Sequence, residues 1–335
     1  MKYQKIAIKK TIKSRYGAVE VDKSHTFCRT PYGFQMSPYL QDLVVFTGQN
    51  HVFEDASEQL KKLSGLDVTA KQVERLTHAY GELLDINAGQ IEEEVSVDES
   101  LHYCMMDGAM LLTREDDWKE IKLARVFEAT SHMSESEKRN FIKNSTYTAH
   151  LGSCKPFFSK LEKTTDRLKN MVWIADGAKW IWNWVDSSYP DSIQILDYYH
   201  CIEKLHGFAK EALKNPEQRR EWVEDQQNLL MQNEAKVVIA NISLMNCKGK
   251  TLQLQRTLLT YYENNLKRMK YKTYKQEGLL IGSGPMEAAH RHVIQHRMKL
   301  SGQRWTINGA QQVANLRVAN KSGKWKNVLN LINLN

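Results

Sequence analysis

Three acidic residues in this sequence stand where carboxylates could do chemistry. "CMMDGAM" and "WIADGAK" repeat the triplet Asp-Gly-Ala, at Asp107 and Asp176, each time at the end of an apolar, strand-like run. An Asp in that position, followed by Gly, points its carboxylate out of a sheet beside open backbone. The plainer alternative for each Asp-Gly is a turn at a strand end. Two such carboxylates placed together are costly to desolvate unless a cation neutralises them. Hard divalent cations take oxygen ligands and share them with substrate phosphates, so the pair predicts a phosphoryl-transfer site. With a third carboxylate it would hold two Mg²⁺ (or Mn²⁺) ions, roughly 3.5–4 Å apart in sites of this type.

Glu287 is the natural third member. It is the only acid between Gly278 and Asn335, a stretch that also carries Arg291, Arg297, Lys299, Arg304, Arg317, Lys321, Lys324 and Lys326. An ion pair with Arg291 four residues on would be worth only a few tenths of a kcal/mol. That pair does not explain why the rest of the tail has no acids. A surface that holds a phosphate backbone would exclude carboxylates, except one needed to bind metal. Eight positive charges less one acid give 8 − 1 = +7 in this tail, out of a formal net charge of +8 for the chain. Charge gathered in one segment is what a polyanion-binding face needs; a solvated basic helix is the alternative.

The elements that must position these residues can be read from periodicity. Residues 3–28 alternate polar and apolar around Ser14–Gly17, which predicts a small hairpin. From Val52 the period is helical: a helix through Phe53, Ala56, Leu60 and Leu63 ends near Gly65. Thr69 would cap a second helix carrying Val73, Leu76 and Tyr80. Helix, Gly-containing turn, helix is the outline of a helix-turn-helix, and equally of an ordinary helical hairpin. "GQIEEEVSVDES" reads as an acidic linker. Strands are expected over Leu101–Thr113 and Trp118–Thr130, then, after a polar loop, a helix over "CKPFFSKLEKTTDRL". Met171–Val185 and Asp191–Leu213 each read as a strand running into a helix, the alternation of βαβ units. From about Asn215 to Gln276 the chain is polar and helical, as an insertion would be. A last helix starts past Gly282, with Pro285 in its first turn and Gly302 as a stop.

Bulk composition narrows the class. The chain has 335 residues, 41% hydrophobic and 26% charged, ordinary globular values that argue against wholesale disorder. The five cysteines are scattered, with no Cys-x-x-Cys pair, which suits free thiols in a reducing cytosol rather than a disulfide framework or zinc ribbon. "MKYQKIAIKKTIKSRYG" has no apolar signal-peptide core, and "MVWIADGAKWIWNWV" is broken by Asp176 and Lys179, so no membrane association is expected.

The set "DGAMLL", "WIADGAKWIWNWV", "ILDYYHCIEKL" and "IGSGPMEAAHRHVIQHRMKLSGQRWTINGAQQVANLR" resembles the DDE transposases of bacterial insertion sequences, of the ISKra4-like group and its ISLre2-like relatives. The likeness runs in order from about Leu101 to Trp325. Its most specific part is "GSG-x-x-E … R-x-K-x-SG-x-x-W". "FEDASEQLKKLSGLDVTAKQVERL" looks like the family's helix-turn-helix. The resemblance implies an α/β, RNase H-like fold: a mixed five-stranded sheet flanked by helices, with a helical insertion before the glutamate. It implies the catalytic and metal-binding triad Asp107, Asp176 and Glu287, and action as a homo-oligomer, commonly a dimer. Asp197-x-x-His200 looks like the family's (Cys/Asp)-x-x-His signature, with a role in supporting the site or contacting DNA rather than binding metal. Where relatives carry a Cys-x-x-Cys-type element, this chain has only His25 and Cys28, too few ligands for a zinc site.

Residues and resemblance together lead to one expectation. The chain would be a cytoplasmic, nucleoid-associated bacterial transposase that cleaves element ends and transfers strands into target DNA with Mg²⁺. The alternatives are a transposase-derived DNA-binding regulator without catalysis, or another RNase H-like nuclease. Arg291, Arg297, Lys299 and Arg304 are expected to clamp DNA phosphates. Trp305 would stack on an unpaired base or fill the core. The expected organisation is a β-rich region over 1–50, a helix-turn-helix region with linker over 51–98, and a catalytic core over 99–214. A helical insertion over 215–277 and the rest of the core over 278–335 complete it.

Overall fold

The computed structural model describes residues 9–14, 17–22, 36–87, 97–136 and 139–333. Residues 3–8 and 23–28 of the expected hairpin, including His25 and Cys28, lie outside the described residues, as do residues 89–96 of the linker. Strands β1 (Lys9–Ser14) and β2 (Gly17–Asp22) pair antiparallel as expected.

Residues 38–50, placed by the sequence reading in a β-rich region, instead form helix α1 (Pro38–Asn50). Ser37 caps it by accepting from the Leu40 amide, and Pro38 opens it. Helix α2 (Phe53–Ser64) stops at Gly65, whose φ of 72° is the left-handed conformation that glycine adopts without strain. Helix α3 (Ala70–Ile86) starts with a full capping box between Thr69 and Gln72. The two expected helices are thus present, and α1 packs with them.

A mixed sheet follows. Its strands are β3 (Asp98–Leu112), β4 (Trp118–Glu128), β7 (Thr146–Leu151), β8 (Leu168–Ala175) and β9 (Ile193–Leu196). A small two-stranded ribbon, β5 (His132–Ser136) with β6 (Arg139–Ile142), precedes β7. The sheet order is β7-β4-β3-β8-β9; β4 runs antiparallel to its neighbours β7 and β3, and β3, β8 and β9 run parallel. This is the mixed five-stranded α/β sheet expected of an RNase H-like core. The ribbon and β7 lie in what read as a polar loop, because "TYTAHL" has too few apolar residues to announce a strand.

Alternation along β3 and β8 sends Cys104, Met106, Trp173 and Ala175 to one face. There α4 (Cys154–Thr165) and α5 (Lys179–Ser188) cover them with Phe157, Leu161, Ile181 and Val185. Tyr103, Met105, Val172 and Ile174 point to the other face, under α6 (Tyr198–Ala212). The expected insertion is helical: α7 (Pro216–Leu230), α8 (Ala235–Leu244), α9 (Gly249–Asn265) and α10 (Tyr271–Gln276).

The tail returns to the sheet through α11 (Gly284–Ala289), a π-helical stretch (His290–Gln295) and α12 (His296–Met298). It continues with α13 (Ile307–Lys321) and α14 (Trp325–Asn333). Leu316, Val328 and Ile332 from these last helices share a core with Val44, Leu60 and Leu76 of α1–α3. A Cβ at Gly81 on α3 would collide with the Gln312 carbonyl on α13, so the close approach of these helices requires glycine there. Among the described residues, no helix is long and apolar enough to cross a membrane.

Candidate active site

Asp107 and Asp176 are brought together by sheet register. Met106 pairs with Ala175 across the parallel β3–β8 ladder, so the following Asp on each strand occupies the same level. Both belong to the face under α6. Asp107 Oδ1 accepts from the Gly108 amide at 2.7 Å, and Asp176 Oδ1 from the Ala178 amide at 2.9 Å. Burial pushes the Asp176 carboxyl above the usual carboxylate range, and the neighbouring Asp107 charge adds to the rise, against the Ala178 hydrogen bond. The Asp-Gly echo therefore marks two adjacent carboxylates, one of them desolvated; Asp176 follows the end of β8 as expected, but Asp107 lies within β3, which continues to Leu112 because it stays paired with β4.

The glycines that follow have structural reasons of their own. A Cβ at Gly108 would collide with the Glu120 carboxylate, and one at Gly177 with the Tyr261 ring of α9. The insertion therefore docks directly onto the Asp176 loop.

Asp197 begins the next element along the sheet. It is 1% exposed and caps α6, accepting from the Tyr199 and His200 amides through Oδ1. Its Oδ2 accepts from the Ser283 amide at 2.9 Å and from the Ser283 hydroxyl, and faces His200 Nδ1 at 3.1 Å. Burial alone would raise the Asp197 pKa, but the hydrogen bonds from His200 and Ser283 outweigh it and hold the carboxyl below its ordinary range. The same hydrogen bond lifts His200 to about 9 against burial, with the charges of Asp197, Asp176 and Asp107 adding to it. Asp197, itself paired with His200, thus fastens the Gly282–Gly284 segment, from which Glu287 follows, to the start of α6. The amide of Tyr198 donates to Ile281 O at 2.9 Å and completes the fastening.

Glu287 stands on α11, exposed, and its carboxylate makes no hydrogen bond or ion pair among the described residues; the pair with Arg291 does not form. One turn further on, His290 is buried at 4% exposure and places Nε2 3.2 Å from Asp107 Oδ2. That approach is not aligned as a hydrogen bond, and neither ring nitrogen has a hydrogen-bond partner. No three His, Cys, Asp or Glu side chains converge into a cation-binding cluster among the described residues. The donor set still suits a divalent cation, since it combines adjacent carboxylates with an orphaned imidazole. Ser283 and His290 were missed by the sequence reading. Ser283 lay inside the quoted Gly-Ser-Gly motif, and His290 three positions past Glu287, where a helix brings side chains onto one face.

The expected DNA-contacting residues divide sharply. Arg291, Lys299 and Arg304 are exposed. Arg297, expected on the same surface, is 1% exposed and takes no part in it. Its guanidinium lies 4.8 Å from the ring centroids of both Phe53 and Trp305, and Nε donates to Gly48 O at 3.3 Å. Burial pushes its pKa down to about 10, with the Arg317 charge contributing. Delocalised and weakly hydrated, a guanidinium tolerates stacking between aromatic faces that an ammonium would not. Trp305 is likewise core, its Nε1 donating to Met298 O at 3.0 Å. Arg317, a further part of the tail's charge, is interior too and donates to the Val293, His292 and Gln49 carbonyls.

No protein-family model matches the chain, and no curated protein matches it. Among solved structures, the chain is similar to one described as the Drosophila P element transposase strand transfer complex. That match has a TM-score of 0.39 and 9% sequence identity, and covers 90% of this chain and 95% of that one.

Proposed function

We propose that this protein is a transposase that cuts and joins DNA strands with the help of divalent cations. The observation that carries the reading is the side-by-side placement of Asp107 and Asp176 where the parallel pairing of β3 with β8 ends. A desolvated carboxylate beside another carboxylate lowers stability, and such arrangements persist where function needs them.

Asp107 and Asp176 would hold the ions, with Glu287 on α11 as the third carboxylate of the set. Bound Mg²⁺ or Mn²⁺ would supply activation of the attacking oxygen and stabilisation of the leaving one. The chain's own residues do the rest. Asp197 and His200 anchor the segment leading into α11. Arg291, Lys299 and Arg304 offer exposed positive charge to DNA phosphates. The α2–α3 pair would read the element's ends, and a homo-oligomer, in the simplest case a dimer, would bring two ends together.

The test is nicking and joining of the terminal inverted repeats that flank the gene, with Mg²⁺, in wild type and in Asp107→Asn and Glu287→Gln. Loss of both steps by at least about a hundredfold, with DNA binding retained, is the expected result. Activity near wild type in Glu287→Gln removes that residue from the chemistry. Sequence-specific binding indifferent to Asp107→Asn and to divalent metal points instead to a non-catalytic regulator. Cleavage without joining points to a nuclease.

A further inference from the structure

His290 has no role in the preceding assignment, yet its placement demands one. Burying an imidazole with both nitrogens idle forfeits hydrogen bonds that water would have supplied. Its Nε2 nonetheless approaches a carboxylate oxygen of Asp107 to 3.2 Å without hydrogen-bond alignment. Two donors that share an octahedral cation behave in this way. With bonds of about 2.1 Å at right angles, their separation is about 3 Å, and each lone pair points at the ion rather than at the other donor. His290 is also the first residue of a π-helical stretch, a helix distortion found preferentially at functional sites.

We infer that His290 Nε2 and Asp107 Oδ2 are neighbouring ligands of one divalent cation, so that the site mixes nitrogen with oxygen donors. The inference rests on the cation-dependent reading above and adds a ligand to it. An imidazole ligand shifts affinity towards Mn²⁺ and Co²⁺ relative to Mg²⁺, whose preference for oxygen is stronger. The assigned site therefore prefers Mn²⁺, and removing the imidazole erodes that preference rather than abolishing cation binding.

The experiment is electron spin echo envelope modulation of Mn²⁺ added alone to the full chain, with affinity taken from loss of the free-ion signal. Wild type is expected to show modulation from a directly coordinated ¹⁴N nucleus. His290→Leu, close in volume to the buried ring, is expected to lose that modulation and to bind Mn²⁺ about tenfold more weakly, with Mg²⁺ competition changed far less. His200→Asn is expected to keep the modulation, which excludes His200 as its source, and His290→Gln, which removes the ring nitrogens but keeps a polar side chain, is expected to lose it should His290→Leu fail to fold. Mn²⁺ bound without ¹⁴N modulation, or with modulation that survives His290→Leu, overturns the inference and leaves the cation site standing. Mn²⁺ binding that is unchanged in Asp107→Asn overturns the cation site and this inference together.

Discussion

Asp197 holds Ser283 through both its amide and its hydroxyl, and so ties the first turn of α6 to the segment that launches α11. Two stretches 86 residues apart in sequence are closed over the helical insertion by one buried carboxylate. Glu287 and His290 both follow from that anchor.

The anchor has a pH window. His200 has an ordinary value of 6.5 and is lifted to about 9 in the folded protein, so its stabilising contribution is complete below about 6.5 and is lost as pH rises through about 9. The Asp197 carboxyl is depressed below its ordinary 3.8, so its contribution is present above that value and is lost as pH falls through the folded one. His200→Ala is therefore expected to cost about 1 kcal/mol near pH 6, reduced from a fully buried pair because His200 is part-exposed. The cost should vanish by about pH 10. Urea unfolding of both proteins at the two pH values checks this; a cost independent of pH contradicts it.

Arg297 should act on stability and not on DNA. Arg297→Ala removes a buried side chain that bridges Phe53 and Trp305 and is expected to cost about 2–4 kcal/mol. Arg297→Lys should recover little, because an ammonium neither stacks as a plane nor tolerates desolvation as well. Thermal unfolding measures both. Below the unfolding transition, DNA affinity of either variant should stay within about twofold of wild type.

The exposed cations should behave in the opposite way. Replacing Arg291, Lys299 and Arg304 by Ala together is expected to leave the melting temperature within a few degrees. It should lower the slope of log affinity against log salt by about 2–3, at about 0.9 for each phosphate that is no longer neutralised. An unchanged slope in fluorescence anisotropy titrations would place the DNA elsewhere.

Gly177→Ala should be costly because the added methyl enters the Tyr261 ring. A loss of about 1–3 kcal/mol is expected, with partial recovery when Tyr261 is also reduced to Ala. The double-mutant cycle isolates that coupling; additive costs would mean that the ring does not press on the loop.

Part of the candidate site was legible along the chain. The repeated Asp-Gly-Ala picked out Asp107 and Asp176, and parallel register made them neighbours; that β3 runs on past Asp107 to Leu112 was not legible, because it depends on pairing with β4. Asp197 read as a strand-end residue and proved to be a helix cap. The cap at Thr69 and the stop at Gly65 were legible because capping depends on residues only a few positions apart. Helix α1 and strand β7 were not. "TYTAHL" owes its strand to pairing with β4, and tertiary pairing overrides a weak local preference.

The tail shows the division most clearly. The sequence by itself determined its net charge, its single carboxylate and its helical period, all of which follow from residue type and spacing. Which cations face solvent was decided by the tertiary structure. Arg297 and Arg291 lie on the same run of helix and look alike in sequence, but Phe53, 244 positions before Arg297, is folded over one and not the other. Burial depends on what the rest of the chain brings to a surface, and no local pattern carries that information. The tertiary structure likewise decided that His290 lies against Asp107, because helix rotation about its axis is set by packing and not by spacing.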